Sequence, residues 1–116
     1  MREKNIGKEG KTKDSYKDVA IKNTLRKKDL QVQACFKNLL LSKPSITQVF
    51  IELDWTILED GTPKDIEIIQ SDETDKVFLQ CVQSIVSSIK FPHPPLGLSE
   101  YVSHKYIFKN VLENKK

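Results

Sequence analysis

The sequence lacks long apolar runs and has few residues that could form a metal or thiol site. No stretch of about 18 consecutive apolar residues occurs, which predicts that no part of the chain spans a membrane. Residues 1–18 carry charges without an apolar centre, so they do not resemble a signal peptide. Cysteine and histidine occur twice each, and neither shows the short paired spacing of a zinc site. We therefore predict no metal ligands and no cofactor.

A strong charge of one sign is also missing. The 19 basic and 16 acidic residues leave a net charge of +3, far from the concentrated positive field of a dedicated nucleic-acid-binding domain. The sequence contains neither a glycine-rich phosphate loop nor a nucleophile elbow. Glu52, Asp54 and Glu67 occupy strand positions typical of a solvated sheet surface, not of an acid–base pair. We predict that the chain has no catalytic residues, binds no small-molecule substrate and is not an enzyme.

The composition is that of a soluble folded protein, with 38% hydrophobic and 30% charged residues in 116. This length suits one domain. Residues 1–18 are rich in lysine, glutamate and aspartate, and we predict a flexible charged tail or linker there. We predict the folded domain over residues 19–112 and a frayed tail over 113–116.

Two amphipathic helices are predicted from apolar residues at helical spacing. The first runs from Val19 to Leu41, with a candidate cap and break at Asp29, a stop at Pro44 and an apolar stripe of Val32, Cys35, Phe36, Leu39 and Leu40. The second begins near Thr74 or Asp75 and ends at Phe91-Pro92, with a stripe of Phe78, Cys81, Val82, Ile85 and Ile89.

Three strands are predicted from alternation of apolar and polar residues. Apolar residues alternate from Val49 to Ile57, Asp60-Gly61 supplies a hairpin turn, and the return strand covers Ile66 to Gln70. The last strand runs from Tyr101 to Phe108, with Val102, His104, Tyr106 and Phe108 on one side. The order α-β-β-α-β predicts an α+β two-layer sandwich, in which a small antiparallel sheet of about three strands packs on two helices.

A set of landmarks runs in a fixed order through residues 19–110. It comprises Cys35-Phe36, Pro44, Asp60-Gly61, Ser71, Cys81-Val82, Phe91-Pro92 and Tyr106-Ile107-Phe108. This ordered set resembles the C-terminal domain of TonB-like proteins, and most closely the AgmX/PglI C-terminal family of bacterial envelope proteins. Ile89, Ile107 and Thr47 stand where that family usually has tryptophan, proline and glycine. The resemblance implies the same α+β fold and a non-catalytic protein-binding role.

The only two cysteines, Cys35 and Cys81, each lie on the apolar stripe of their own helix. From the residues alone, a disulfide between the helices and a pair of buried free thiols are equally good interpretations. Burial argues against a reactive thiolate in either case. The resemblance, with its envelope setting, favours the Cys35–Cys81 disulfide and therefore an oxidising compartment such as the periplasm.

The resemblance also implies how the domain binds, namely by pairing an extended segment of a partner protein with an open edge of the sheet. We assign that edge to the last strand, with Tyr101, Ser103, Lys105 and Ile107 as partner-binding residues. Tyr106 and Phe108 are expected to belong to the core instead. The implied setting is a periplasmic adaptor in a motility or transport assembly. An apolar anchor upstream would favour this setting, whereas a true start at Met1 would favour the cytoplasm.

Two hypotheses from other classes remain open at this point. One is a cytosolic nucleic-acid-binding module that uses the lysine-rich tail with Lys22, Arg26, Lys27 and Lys28. The other is a structural domain that associates with its own copy through the edge strand and forms a homodimer.

Overall fold

A computed structural model describes residues 15–110, which form helices packed on one face of a three-stranded sheet. A π-helix, Tyr16–Ile21, continues into the α-helix α1, Lys22–Arg26, and the two together are the N-terminal helix. The other helices are α2, Asp29–Ser42, and α3, Lys76–Ser87, with a 3-10 turn at Pro95–Gly97. The strands are β1, Gln48–Ile57, β2, Pro63–Ser71, and β3, Glu100–Lys109. The predicted α+β class and element order are confirmed.

The N-terminal helix includes Tyr16, Lys17 and Asp18, which the charge pattern assigns to the tail. Tyr16 is buried and its hydroxyl donates a hydrogen bond to the carbonyl oxygen of Pro92 at 2.7 Å. Burial, followed by the negative charge of Glu100, raises the pKa of Tyr16 to about 12, so this hydroxyl stays protonated at neutral pH. The folded part therefore extends to Tyr16 at least. The remainder of the predicted tail (1–14) and the predicted frayed end (113–116) lie outside the described residues.

The helix ends only partly follow the predictions. The predicted break is present, but Asp29 is the first residue of α2, not its cap, and Lys28 at the cap position makes no side-chain cap bond. The second helix was predicted to start near Thr74 or Asp75, and α3 starts at Lys76, directly after an N-cap at Asp75 whose carboxylate accepts the backbone N–H of Phe78 at 2.9 Å. α3 ends at Ser87, ahead of Phe91-Pro92, and the hydroxyl of Ser88 bonds back to the carbonyl of Ile85.

The sheet has the order β2-β1-β3, and both pairings are antiparallel. The central strand β1 turns its odd-numbered side chains toward the helices and buries all five of them, namely Val49, Ile51, Leu53, Trp55 and Ile57. Phe108 of β3 stacks on Phe36 of α2 at 5.2 Å between ring centroids and meets Phe78 of α3 edge-on at 5.6 Å. β3 is therefore held by the packing of its helix-facing side chains and by its pairing with β1 along one edge.

The hairpin turn between β1 and β2 forms at the predicted Asp60-Gly61. The N–H of Gly61 bonds to the carbonyl of Leu58 at 2.8 Å, and its backbone has a φ of 90°, which favours glycine. Its carbonyl also accepts the N–H of Phe91 at 2.9 Å. The turn therefore connects directly to the segment that follows α3.

Cys35 of α2 and Cys81 of α3 form a disulfide, with their Cα atoms 5.8 Å apart. Of the two alternatives that the sequence left open, a disulfide or two free thiols, the structure therefore has the disulfide. The bridge joins two helices that are separated by the whole β1–β2 hairpin in the sequence.

Candidate functional site

The two edges of the sheet differ in their regularity. β3 pairs with β1 without interruption, from Gln48 opposite Lys109 to Ile57 opposite Glu100. β2 pairs with β1 through two irregularities, and Asp65 within it has a φ of 58°. Bulges bend a strand and disturb its hydrogen-bonding groups, which discourages pairing with another chain. β3 is therefore the edge that suits an added strand.

The backbone of β3 offers a regular set of groups on its outer side. The N–H of Asn110 bonds to the carbonyl of Thr47 at 2.9 Å, which fixes which residues of β3 bond to β1. Because inward and outward bonding alternate along an antiparallel strand, the even-numbered residues of β3 bond to β1. The odd-numbered ones direct N–H and C=O outward, and they include Tyr101, Ser103, Lys105 and Ile107. Among the described residues, no other strand pairs with β3 on that side.

The same four residues have exposed side chains on the open face of the sheet. Tyr101 is 57% exposed and Ile107 is 53% exposed, whereas Tyr106 and Phe108 are buried in the core as expected. The hydroxyl of Tyr101 donates to Asp54 Oδ2 at 2.6 Å, and this hydrogen bond is the main cause of a raised pKa at Tyr101. Lys105 Nζ lies 4.5 Å from the centre of the Phe50 ring.

A groove of about 260 Å³ runs between β3 and the N-terminal helix. Its lining combines the buried apolar residues Ile21, Leu25 and Val102 with the charged residues Lys17, Asp18 and Lys22. Lys17 Nζ pairs with Glu100 Oε2 at 3.1 Å, which connects the helix to the start of β3. A strand added to β3 would turn side chains toward this groove where it passes residues 101–104.

His104 of β3 also lines the groove. Burial lowers the pKa of His104, and the positive charge of Lys22 lowers it further, against a smaller opposing effect of Asp29. The imidazole is therefore neutral at neutral pH and adds no positive charge to the groove.

Two of the carboxylates considered in the sequence lie opposite each other in the structure. Glu67 of β2 is the cross-strand neighbour of Asp54 on the sheet. Within residues 15–110, no group of histidine, cysteine, aspartate and glutamate is arranged to hold a metal ion. His93 is exposed in the loop between α3 and β3.

The basic residues of the nucleic-acid hypothesis lie on α1 and on the turn that follows it. Lys22, Arg26 and Lys27 are exposed, and Arg26 donates a hydrogen bond to the side chain of Asn23 at 2.8 Å. No helix in the described part of the chain is long and apolar enough to cross a membrane.

The sequence pattern predicts which side chains of β3 are exposed, but it does not reveal the groove. The N-terminal helix forms one wall of the groove and packs on the core through Tyr16, Ile21 and Leu25. Tyr16 and Ile21 are five residues apart, which is the spacing of a π-helical turn. This five-residue spacing is the one signal in the sequence from which the groove could have been predicted.

Comparison with known proteins agrees with this architecture. No protein-family model matches the chain, and no curated protein matches it. A structural match is found to the solution structure of the TonB C-terminal domain of Helicobacter pylori, residues 179–285 of that protein. The TM-score is 0.50 at 16% sequence identity, and the match covers 84% of this chain and 91% of that one. The chain therefore has a fold like that of the TonB C-terminal domain.

Proposed function

We propose that this domain is a non-catalytic adaptor of the bacterial cell envelope, which binds an extended segment of a partner protein by strand addition to β3. The uninterrupted outer edge of β3 carries this proposal. Tyr101, Ser103, Lys105 and Ile107 each direct a backbone donor and acceptor outward, and their side chains lie beside the position of the added strand. An extended peptide matches this spacing of groups because its own backbone alternates in the same way.

The setting that we propose is the periplasm, within a motility or transport assembly such as the AgmX/PglI resemblance implies. The disulfide supports it, since such bonds persist in oxidising compartments. Alkylation and intact-mass measurement of unreduced, denatured protein from its native host test the compartment. Two reactive thiols in that protein would favour the cytoplasm.

A substitution at Ser103 tests strand addition, because its N–H points away from β1. Ser103→Pro removes that N–H without removing a hydrogen bond to β1, and proline is tolerated on edge strands. Ser103→Ala is the matched control, since it removes the hydroxyl and keeps the N–H. The probe is a ten-residue peptide that alternates glutamine with valine. Its binding is measured by NMR of the ¹⁵N-labelled domain.

Strand addition should slow hydrogen exchange at the outward amides of residues 101, 103, 105 and 107 while leaving the inward ones unchanged. Binding should persist in Ser103→Ala and be lost in Ser103→Pro, provided that the core resonances of both variants match the wild type. Protection at residues outside β3, or equal binding by both variants, would refute strand addition at this edge.

A further inference from the structure

A second groove, which we name the α2 groove, lies beside the point where β3 ends, and its volume is about 360 Å³. Its apolar surface comes from Phe36, Leu40, Leu41 and Pro44, together with the aliphatic stems of Lys37 and Lys109. At about 3.6 residues per turn, Lys37 and Leu40 lie on the side of α2 opposite Cys35, which bonds to α3. Leu41 is 81% exposed, so this part of α2 keeps apolar surface in contact with water.

The chain passes the α2 groove as it leaves the sheet. Asn110 lines the groove and is 9% exposed. Its N–H donates to the carbonyl of Thr47 at 2.9 Å, and its side-chain Nδ2 donates to the carbonyl of Ile46 at 3.0 Å. These two hydrogen bonds fix the position from which the next residues, Val111 and Leu112, continue.

We infer that the side chain of Leu112 occupies the α2 groove. Even-numbered side chains of β3, such as Phe108, face the helices, and continued alternation gives Leu112 the same side and Val111 the opposite one. The Cα atom of Leu112 lies at most about 7 Å from that of Asn110, since an extended chain covers about 3.5 Å per residue. That distance is within reach of a groove that Asn110 itself lines.

The covalent connection favours Leu112 over a leucine of another protein. A group joined by so short a connection has an effective local concentration of about a millimolar or more, which a free partner would have to exceed. Residues 113–116 are polar, so they can remain in water while the leucine is withdrawn from it. The inference concerns α2 and does not depend on strand addition to β3.

NMR of the whole chain with labelled methyl groups tests this placement directly. The methyl protons of Leu112 should show nuclear Overhauser effects to the ring of Phe36 and to the methyl groups of Leu40. Val111 should show neither. Well-resolved Leu112 methyl signals without contacts to α2 would overturn the inference.

A matched pair of serine variants measures what the contact contributes. Leu112→Ser should raise the equilibrium constant of unfolding, determined with urea, by about tenfold or more, because it removes a buried aliphatic side chain. Val111→Ser, at the neighbouring apolar residue, should raise it by less than about threefold. Equal effects of the two variants, or no effect of Leu112→Ser, would contradict the placement of Leu112 in the groove.

A double-mutant cycle locates the contact on α2. In the Leu40→Ala background, Leu112→Ser should raise the unfolding constant by a clearly smaller factor than in the wild type, because neighbouring residues do not contribute independently. Ile68→Ala on β2, which does not line the α2 groove, is the control background and should leave the factor unchanged. The same factor in all three backgrounds would place Leu112 elsewhere.

A different occupant would give a different result. If a second copy of the chain fills the α2 groove, the signals of Phe36 and Leu40 should shift with protein concentration, and Leu112→Ser should leave them unchanged. That result would overturn the inference and assign the groove to self-association.

Discussion

At Gly61 the backbone leaves no room for a side chain. A Cβ atom there would lie 2.0 Å from the carbonyl oxygen of Phe91, and the φ of 90° already disfavours other residues. Gly61→Ala should therefore lower the free energy of unfolding by more than about 2 kcal/mol. Gly97→Ala is the matched control, because Gly97 has a φ of 66° but nothing within 4 Å of its Cβ position. Urea unfolding should show a loss of about 1 kcal/mol for that control, and equal losses for both would contradict the steric argument.

Glu73 makes the stability of the domain depend on pH. Its Oε2 accepts Lys43 Nζ at 2.6 Å and the N–H of Asp75 at 2.9 Å. Chiefly through Lys43, these bonds hold the pKa of Glu73 below its ordinary value of 4.5, although partial burial opposes them. Because the folded-state pKa is the lower one, the carboxylate stabilises the fold above about pH 4.5. That contribution is lost as the pH falls through the folded-state pKa.

Glu73→Gln should therefore flatten the fall in the free energy of unfolding below about pH 4.5, as measured by urea unfolding across a pH series. Glu59→Gln, at an exposed glutamate of the turn between β1 and β2, is the control and should flatten the fall less than Glu73→Gln does. Equal flattening by the two variants would show that general charge, not the contacts of Glu73, produces the acid dependence.

At the scale of the elements, the disulfide between α2 and α3 should raise the stability of the domain. It closes a sequence separation of 46 residues, for which the chain-entropy model gives about 4 kcal/mol. Reduced wild type and the Cys35→Ala/Cys81→Ala variant should both unfold at lower urea concentration than the oxidised protein. The double variant should not respond to reductant. An unchanged midpoint in protein shown by mass to be reduced would contradict this role.

Elements whose side chains alternate or repeat regularly could be predicted from the sequence. Buried and partly exposed side chains alternate along β1, and Asp75 caps α3. Local residue spacing decides the first feature and local hydrogen bonding the second. The π-helix was missed, since Tyr16 and Ile21 are five residues apart and match neither a helical nor a strand period. The irregular pairing of β2 was missed as well, because it depends on the register with β1 and on the backbone of Asp65.

The candidate site was predictable to a similar degree. The exposed faces of Tyr101, Ser103, Lys105 and Ile107 follow from strand alternation, and they are exposed in the structure. The outward direction of their backbone groups follows from the bond between Asn110 and Thr47, which joins residues distant in sequence. Their role as partner-binding residues remains a prediction that the Ser103 variants test.

At the scale of the whole molecule, the lysines of β3 oppose association between copies through that strand. The chain has a net charge of +3, and pairing through β3 would bring Lys105 and its copy close together in the most overlapping registers. We expect sedimentation of the isolated chain at low salt to show a monomer. Any self-association should increase with ionic strength, because the Debye length falls to about 10 Å at 0.1 M salt.

Lys105→Gln sharpens that prediction, since it removes the repulsion and keeps the outward backbone of β3 intact. This variant should associate at lower protein concentration than the wild type, and the additional change Ser103→Pro should return it to a monomer by removing an outward donor. A wild-type dimer that is stable at low salt and lost in Ser103→Pro would reverse the argument. The open edge of β3 would then serve self-association of the domain. Lys105 would then need acidic residues of the second copy beside it in the dimer.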